Sequence, residues 1–493
     1  MKFFDKSETM AWLPTGADTP PIRVFGTDAI RKTFDMKCLQ QAVNSRLAPG
    51  ITEFVLNPDA HCGYGAPVGC VMISPTHIYP GPVGVDIKCS MSLLQMDIPA
   101  IDIQSREIRR QLINAICERL PTGAGKGQQS VKKSRHVEPG TGVKAVVEGA
   151  SASVLSNLGI PTAWADACED AAHLGAHGSS EALIDRLNFH LQQGTFRDVQ
   201  TKFQQLGSYG GGNHFGECEV VHLAKDPAKR AIAESLGLEN NRVAFLSHCG
   251  SRGFGHNLAM HQFRTLQKKF ADEKIPLPGN DRELVYAELG SAEADNYLDD
   301  MSLGANFATV NHLLINALVL EAFQEVLPGT QGQLIYFISH NIARMERMNG
   351  QDVWVHRKGA TRAFPAGHAA LAGTRFATTG HPILLPGNPQ AGSAVMVARP
   401  GAKESCYTVN HGAGRVMGRR HAQRVLSQKV IDESFNDADI LTNCRQYPKD
   451  EAPAAYKDFN EVLKSVEEAE LATEVARLKA RFVIKDGNSP ADD

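Results

Sequence analysis

The sequence predicts an α+β fold gathered into one large domain, with β-sheets flanked by helices around a cleft. Three observations point there. Apolar runs of strand length and of helix length are intermixed without a regular strand–helix–strand beat, which disfavours a doubly wound parallel sheet. No internal repeat and no long Pro/Ser-rich linker divides the 493 residues, although length alone would allow roughly two to four domains. Polar signatures are spread from residue 59 to residue 485, and one site fed by the whole chain implies one domain over 1–493.

The elements follow in order. Residues 22–98 read as strand-rich, since "EFVLNPDAH", "VGCVMI" and "SLLQMDI" are short apolar runs broken by Gly and Pro. "SREIRRQLINAICERL" (105–120) has helical spacing with Ser105 as its N-cap. Residues 121–150 are rich in Gly and Lys and predict a mobile loop. Helical patterns occupy 160–205. "RVAFLSH" (242–248) and "QLIYFISH" (333–340) are apolar strands that each end in Ser-His. "VNHLLINALVLEAFQEVL" (310–327) predicts a buried helix, and "PILLPG" with "SAVMVAR" (382–399) predicts further strands. Residues 459–484 read as a long final helix running into a strand, and 486–493 as a frayed tail.

Composition narrows the function. A 42% hydrophobic and 21% charged chain can build a large core. A net charge of −3 excludes the crude signature of a protein that coats nucleic acid, while leaving room for a local basic groove. The N-terminus carries no signal-peptide pattern, and no uninterrupted apolar run reaches the ~18 residues of a membrane span. A soluble cytoplasmic protein without a membrane partner is expected. Ten cysteines scattered singly read as reduced thiols.

Several motifs are set aside. "GYGAPVG" (63–69) and "GAGRVMG" (412–418) resemble a dinucleotide fingerprint with the third glycine one place late. No phosphate loop ending in Gly-Lys-Ser/Thr occurs. "KDG" (485–487) is one residue short of the lysine motif of common nucleotidyl-transferring ligases. His173 and His177 have helical i, i+4 spacing, but no glutamate lies between them, and a solvated helix end stopped by Gly178 is the better reading.

Five segments combine metal-ligand side chains with glycine. They are "GVDIKCSM" with Asp86 and Cys89, "GSYGGGNHFGE" with Asn213, His214 and Glu217, "LSHCGSRGFGH" with His248 and Arg252, "ISHNIAR" with His340 and Asn341, and "VNHGAGRVMGRR" with His411. Singly, each is commonplace: a strand-terminal histidine is usually a satisfied surface residue. Asp86, Cys89, His214, His248 and His340 together offer one carboxylate, one thiolate and three imidazoles from loops at strand ends, where sites are assembled. A thiolate with imidazoles selects a transition metal. One thiolate can bridge two ions and leave each with open positions, which suits phosphoryl chemistry. His411 is then either a further ligand or a nucleophile that attacks phosphorus. Gly412 and Gly414 would let a backbone approach a nucleotide, and Arg415, Arg419 and Arg420 supply charge for phosphate.

At this point the chain resembles the RtcB family of RNA-splicing and RNA-repair ligases. The resemblance rests on "NPDAHCGYGAPVGCV", "GVDIKCSM", "GGGNHFGE", "SHCGSRGFGH", "SHNIA", "HRKGATRAFPAG", "LPGNPQAGSAVMV", "NHGAGRVMGR" and "AAYKD", in the family's order along nearly the whole chain. It implies a GTP- and Mn²⁺-dependent ligase that joins an RNA 3′-phosphate or 2′,3′-cyclic phosphate to a 5′-hydroxyl. It further implies that His411 carries GMP. Asp86, Cys89 and His214 would hold one Mn²⁺, and Cys89, His248 and His340 the second. Asn213, Phe215, Glu217, Asn341, Pro386, Gly387, Asn388, Pro389, Ser393, Gly412, Ala413, Gly414, Tyr456 and Lys485 would line the GTP pocket. Arg252, Lys358 and Arg419 would bind phosphates on the RNA path. An archease-type activator is a candidate partner, and a monomer is expected.

The chain departs from the family's pattern at Lys88 and Ser90, where "GVDIGCGM" would have glycines, and at Gly387-Asn388-Pro389, where Gly-Ser-Met is usual. Lys88 puts charge beside the metal ligands, where it would hold an RNA phosphate or weaken metal affinity. Pro389 and the lost serine hydroxyl would reshape the phosphate pocket. These changes point to a divergent branch specialised for RNA repair. Two other activities use the same residues: a guanylyl transferase that caps 3′-phosphates without sealing, and a metal-dependent phosphatase or phosphodiesterase acting on RNA ends.

Overall fold

A computed structural model describes residues 1–16 and 18–487. Two large sheets organise them. The first has seven strands, in spatial order Phe4–Asp5, Met10–Leu13, Ile22–Phe25, Glu53–His61, Val68–Ser74, Gln351–Lys358 and Asn341–Met348. The second has eight. Its main path runs Gly332–Ser339, Ser90–Pro99, Arg242–Cys249, Phe215–Leu223, Ala472–Lys485, Gly392–Ala398 and Pro382–Asn388, with Leu441–Thr442 pairing in parallel onto Ala472–Lys485. This sheet curls until its two edge strands approach each other. A core of Met91, Leu246, Ile338, Leu384, Val395 and Leu478 draws on strands from across it. The fold is α+β, as the mixed pattern predicts.

The helix Ala292–Val326 packs on the second sheet and is 35 residues long, starting well before the expected 310. Its length and apolar character would suit a membrane span, yet 94% of its most apolar window is buried inside the protein. Polar residues break its apolar pattern, and each noted here has a partner. Asn311 Oδ1 accepts from the amide of Gly207 at 2.8 Å, and His312 Nε2 lies 2.7 Å from the Cys249 carbonyl. These bonds fasten two glycine-bearing segments of the site to the helix.

Four expectations need correction. The loop expected over 121–150 contains the helix Pro139–Glu148, whose Ala145, Val146 and Val147 are buried in the main core. Within the strand-rich 22–98 lies the helix Met36–Arg46, capped by Asp35 and burying Cys38, Leu39, Ala42 and Val43 on one stripe. The long final helix is only Phe459–Glu468; Glu470 turns left-handed at φ 54°, and Ala472–Lys485 is a 14-residue strand. That strand is flanked by Phe215–Leu223 and Gly392–Ala398, so pairing on both sides overrides its helix-forming composition. His173 and His177 are not on a helix. Of the tail expected to fray, residues 488–493 lie outside those described.

Candidate metal centre and nucleotide pocket

Strand register brings the candidate ligands together. Met91 and Phe215 both pair with His248, and Ser90 pairs with Ser339. Cys89, His214 and His340, each one residue beyond these, therefore meet His248 at the same end of the sheet. His340 is the single residue between Gly332–Ser339 of one large sheet and Asn341–Met348 of the other. Its amide donates to the Cys89 carbonyl at 2.9 Å.

Two three-residue sets result, Asp86/Cys89/His214 and Cys89/His248/His340, each with ligand atoms within 4.8 Å of one another. Cys89 belongs to both, as the bridging reading requires. Asp86 Oδ2 lies 2.9 Å from His214 Nε2, and Cys89 Sγ lies 3.6 Å from the same nitrogen. His248 Nδ1 faces the Asn213 carbonyl at 3.0 Å, which accepts its proton and leaves Nε2 with one lone pair. That lone pair is faced by both Cys89 Sγ at 3.1 Å and His340 Nε2 at 3.2 Å. One lone pair cannot serve two donors; a cation among the three atoms relieves the conflict. Burial pushes the Cys89 thiol up and holds His248 and His340 neutral. A cation is thus what would make Cys89 a thiolate; His248 and His340 are already in their ligating form, whereas Asp86 and Cys249 outweigh burial and favour the protonated form of His214, which a cation would have to displace. Burial also opposes the Asp86 charge, but His214 outweighs it and keeps the carboxyl well below the usual range. The donor set fits a transition metal. A Cβ added at Gly250 would lie 2.3 Å from Asp86 Oδ1, so any other residue there would displace the carboxylate.

His411 is not in either set. It follows the strand Thr408–Asn410, and its ring centroid is 4.7 Å from that of His340. Its Nδ1 lies 2.7 Å from Asp59 Oδ2, and its amide donates to the same oxygen at 3.2 Å. Asp59 is fully buried. A carboxylate on Nδ1–H leaves Nε2 as the free lone pair, the form that a nucleophile and a metal ligand both need, and the place of His411 outside both ligand sets is what favours the nucleophile. Sequence reading gave Asp59 no role. The available signal was its place two residues before His61 in the "NPDAH" stretch. Lys457 Nζ fixes that strand by donating to the carbonyls of Pro58 and Ala60 at 2.9 and 2.8 Å. Gly414, with φ +75°, passes so close that a Cβ would lie 2.3 Å from the Asp59 carbonyl.

The residues expected around a nucleotide gather on this side. Ala413 donates to the Pro386 carbonyl at 3.1 Å, so Gly412–Gly414 lies against Pro386–Gly387. Asn388 Oδ1 accepts from the amides of Gln390 and Ala391 at 3.1 and 3.0 Å, which spends this side chain on its own turn around Pro389. Asn341 Oδ1 accepts from Gly359 at 2.8 Å. The Phe215 ring lies edge-on to His248 at 5.6 Å. Glu217 and Ser393 are buried, and Glu217 Oε1 has no hydrogen-bond partner. Burial pushes the Glu217 carboxyl up to about 8 against the pull of Lys485. Lys485 donates to the carbonyls of Gly212 and His214 at 2.9 and 3.3 Å and pairs with Glu451 at 3.2 Å. The Tyr456 hydroxyl donates to Glu451 at 2.7 Å. Burial alone would raise Glu451, but Lys485, Arg419 and Arg415 hold it at about 2.

The three expected phosphate binders already contact protein groups. Arg419 pairs with Asp450 at 3.0 Å and Glu451 at 2.5 Å. Lys358 donates to the carbonyls of Tyr64 and Gly81, and burial lowers its amine to about 8. Arg252 donates to Ser208 Oγ at 3.2 Å and covers Gly210. Lys88 is buried, and its amine reaches Asp170, His173 and Thr309 rather than a substrate path.

Residues 41–486 match a family model described as tRNA-splicing ligase RtcB. The chain is 33% identical over 482 residues to the tRNA-splicing ligase RtcB of Nanoarchaeum equitans, covering 94% of this chain and 95% of that one. It is 32% identical to the protein of the same name from Thermococcus kodakarensis and 31% identical to that from Pyrobaculum aerophilum, each over 483 residues and 94% of both chains.

Proposed function

The chain belongs to the RtcB family of tRNA-splicing ligases, and from that membership we propose that it is an RNA ligase using GTP and two Mn²⁺. It joins RNA 3′-phosphate or 2′,3′-cyclic phosphate ends to 5′-hydroxyl ends through a covalent histidine–GMP. The observation that carries this reading is the pairing of His411 with buried Asp59 beside two ligand sets that share Cys89.

Asp59 holds Nδ1–H of His411 and aims Nε2 outward. Nε2 attacks the α-phosphorus of GTP; the N–P bond forms as pyrophosphate leaves. An oxygen of the RNA 3′-phosphate then attacks the same phosphorus and releases Nε2, giving an RNA end activated as a diphosphate with GMP. Attack by the 5′-hydroxyl on the RNA phosphorus forms the phosphodiester and expels GMP. A cyclic end is hydrolysed before the second step. Mn²⁺ held by Asp86, Cys89, His214, His248 and His340 would neutralise the charge that builds on the phosphates. Gly412, Ala413 and Gly414 let the nucleotide approach the backbone, and Glu217 offers a buried acceptor to the edge of a guanine base. Arg252, Lys358 and Arg419 would bind RNA phosphates with N–H groups other than those in the protein contacts described above.

Incubating the Mn²⁺-loaded protein with GTP labelled at the α-phosphate, beside His411→Ala, tests the reading on a denaturing gel. A labelled band in the first protein alone is expected. Absence of label in protein with metal bound would refute the covalent step.

A further inference from the structure

Lys88 stands between two ligands, Asp86 and Cys89, in a left-handed conformation with φ +53°. Side-chain-bearing residues adopt this conformation rarely, and it persists when surrounding bonds over-determine it. The bonds are present. The Lys88 amide donates to the Asn341 carbonyl at 2.7 Å, and its carbonyl accepts from Ser90 Oγ at 2.6 Å. The side chain is 0% exposed. Its amine reaches the Asp170 carbonyl at 2.9 Å, His173 Nε2 at 2.9 Å and Thr309 Oγ1 at 2.7 Å. An ammonium has three N–H groups, and three acceptors surround this one. None is left for a substrate phosphate.

The anchors are themselves fixed. Thr309 lies on the Ala292–Val326 helix. His173 donates its amide to Asn306 Oδ1 at 2.7 Å, and Asn306 Nδ2 donates back to the His173 carbonyl at 2.9 Å, so the same helix holds both.

We propose that Lys88 is a positioning residue for the metal centre: its amine staples the Asp86–Cys89 turn to the long helix and the Asp170–His173 segment, and so holds Cys89 Sγ where both ligand sets share it. The inference rests on the metal reading above and extends it to a residue that is not a ligand. Without the amine the turn keeps its two backbone bonds but loses the three contacts that tie it to the long helix and the Asp170–His173 segment, and the shared position of Cys89 is the first geometry to relax.

The test is Mn²⁺ binding without GTP or RNA, followed by calorimetry and by the electron paramagnetic resonance of a coupled ion pair. Lys88→Met keeps the aliphatic stem and removes the donors. It should bind Mn²⁺ about tenfold or more weakly, the scale seen when partners of ligands are removed, and lose the coupled signal. Thr309→Val removes one anchor without touching the turn and should give a smaller loss. The double variant should be no worse than Lys88→Met. Two coupled ions bound at wild-type affinity in Lys88→Met would overturn the proposal. If that variant fails to fold, unchanged binding in Thr309→Val would overturn it equally. Wild-type protein that binds no Mn²⁺ would refute the metal centre itself, whereas failure of His411 to take up GMP would leave the staple standing.

Discussion

Nδ1 of His411 and Oδ2 of Asp59 are 2.7 Å apart, although 352 residues separate them in the chain. The carboxylate is buried and contacts the histidine twice, through the ring and through the amide. Asp59→Asn would place an amide where an acceptor is needed and favour the tautomer with its proton on Nε2. Guanylylation should fall by on the order of 10³- to 10⁴-fold, the scale for mis-set tautomers in comparable pairs. Rates of label transfer from GTP check this, and a rate near wild type would remove Asp59 from the mechanism.

The sharing of Cys89 makes a second prediction. Cys89→Ala should cost both ions, because each set loses a ligand, whereas His214→Ala should weaken only the set containing Asp86. Metal analysis after gel filtration reads the stoichiometry directly. Equal ion counts in the two variants would contradict the bridging arrangement.

Glu217 gives a pH dependence. Its carboxyl is raised to about 8 by burial, with Glu219, Lys485 and Tyr447 as charged or titratable neighbours. The folded protein keeps a proton here that the unfolded chain releases near its ordinary value, so this group's contribution to stability declines as pH rises from about 4.5 towards about 8. A guanine edge that donates hydrogen bonds wants the anion. GTP affinity should therefore increase as pH rises through about 8, and Glu217→Gln should flatten that dependence. Equilibrium binding across pH 6 to 9 measures it; a slope unchanged in the variant would assign the titration elsewhere.

Gly250→Ala should harm metal binding through packing alone. The added Cβ would lie 2.3 Å from Asp86 Oδ1, so the carboxylate or the strand end must shift. A stability loss of about 1–3 kcal/mol is expected from such overpacking. Thermal unfolding with and without Mn²⁺ separates the two effects. An unaltered metal-induced shift in melting temperature would show that Asp86 tolerates the displacement.

The candidate ligands stand out in the sequence because their signal is local: Ser247-His248 and Ser339-His340 each close an apolar strand. Asp59 does not, since an aspartate inside a strand gains meaning only from a partner far along the chain. The long helix was read from residue 310 because Asp299, Asp300 and Asn306 interrupt its apolar pattern upstream. Their partners, Ala176, Arg186 and His173, lie more than a hundred positions away. Residues 472–485 carry helix-forming Ala, Glu, Leu, Lys and Arg, and only neighbouring strands make them a strand. Of the two roles left open for Lys88, holding an RNA phosphate or weakening metal affinity, the contacts of its amine disfavour the first. Its charge was visible, but the acceptors that consume it belong to distant segments.

His340 belongs to neither sheet and joins both. The chain has no slack at that point: one residue is at once a candidate ligand, the crossing between sheets and the ring packed against His411. A small rotation of one sheet against the other would move the nucleophile, the shared thiol and the imidazoles out of step with one another. Alignment of the reacting groups is thus a mechanical property of the two-sheet frame. Lengthening the junction by even one residue would uncouple parts that loops elsewhere could never realign.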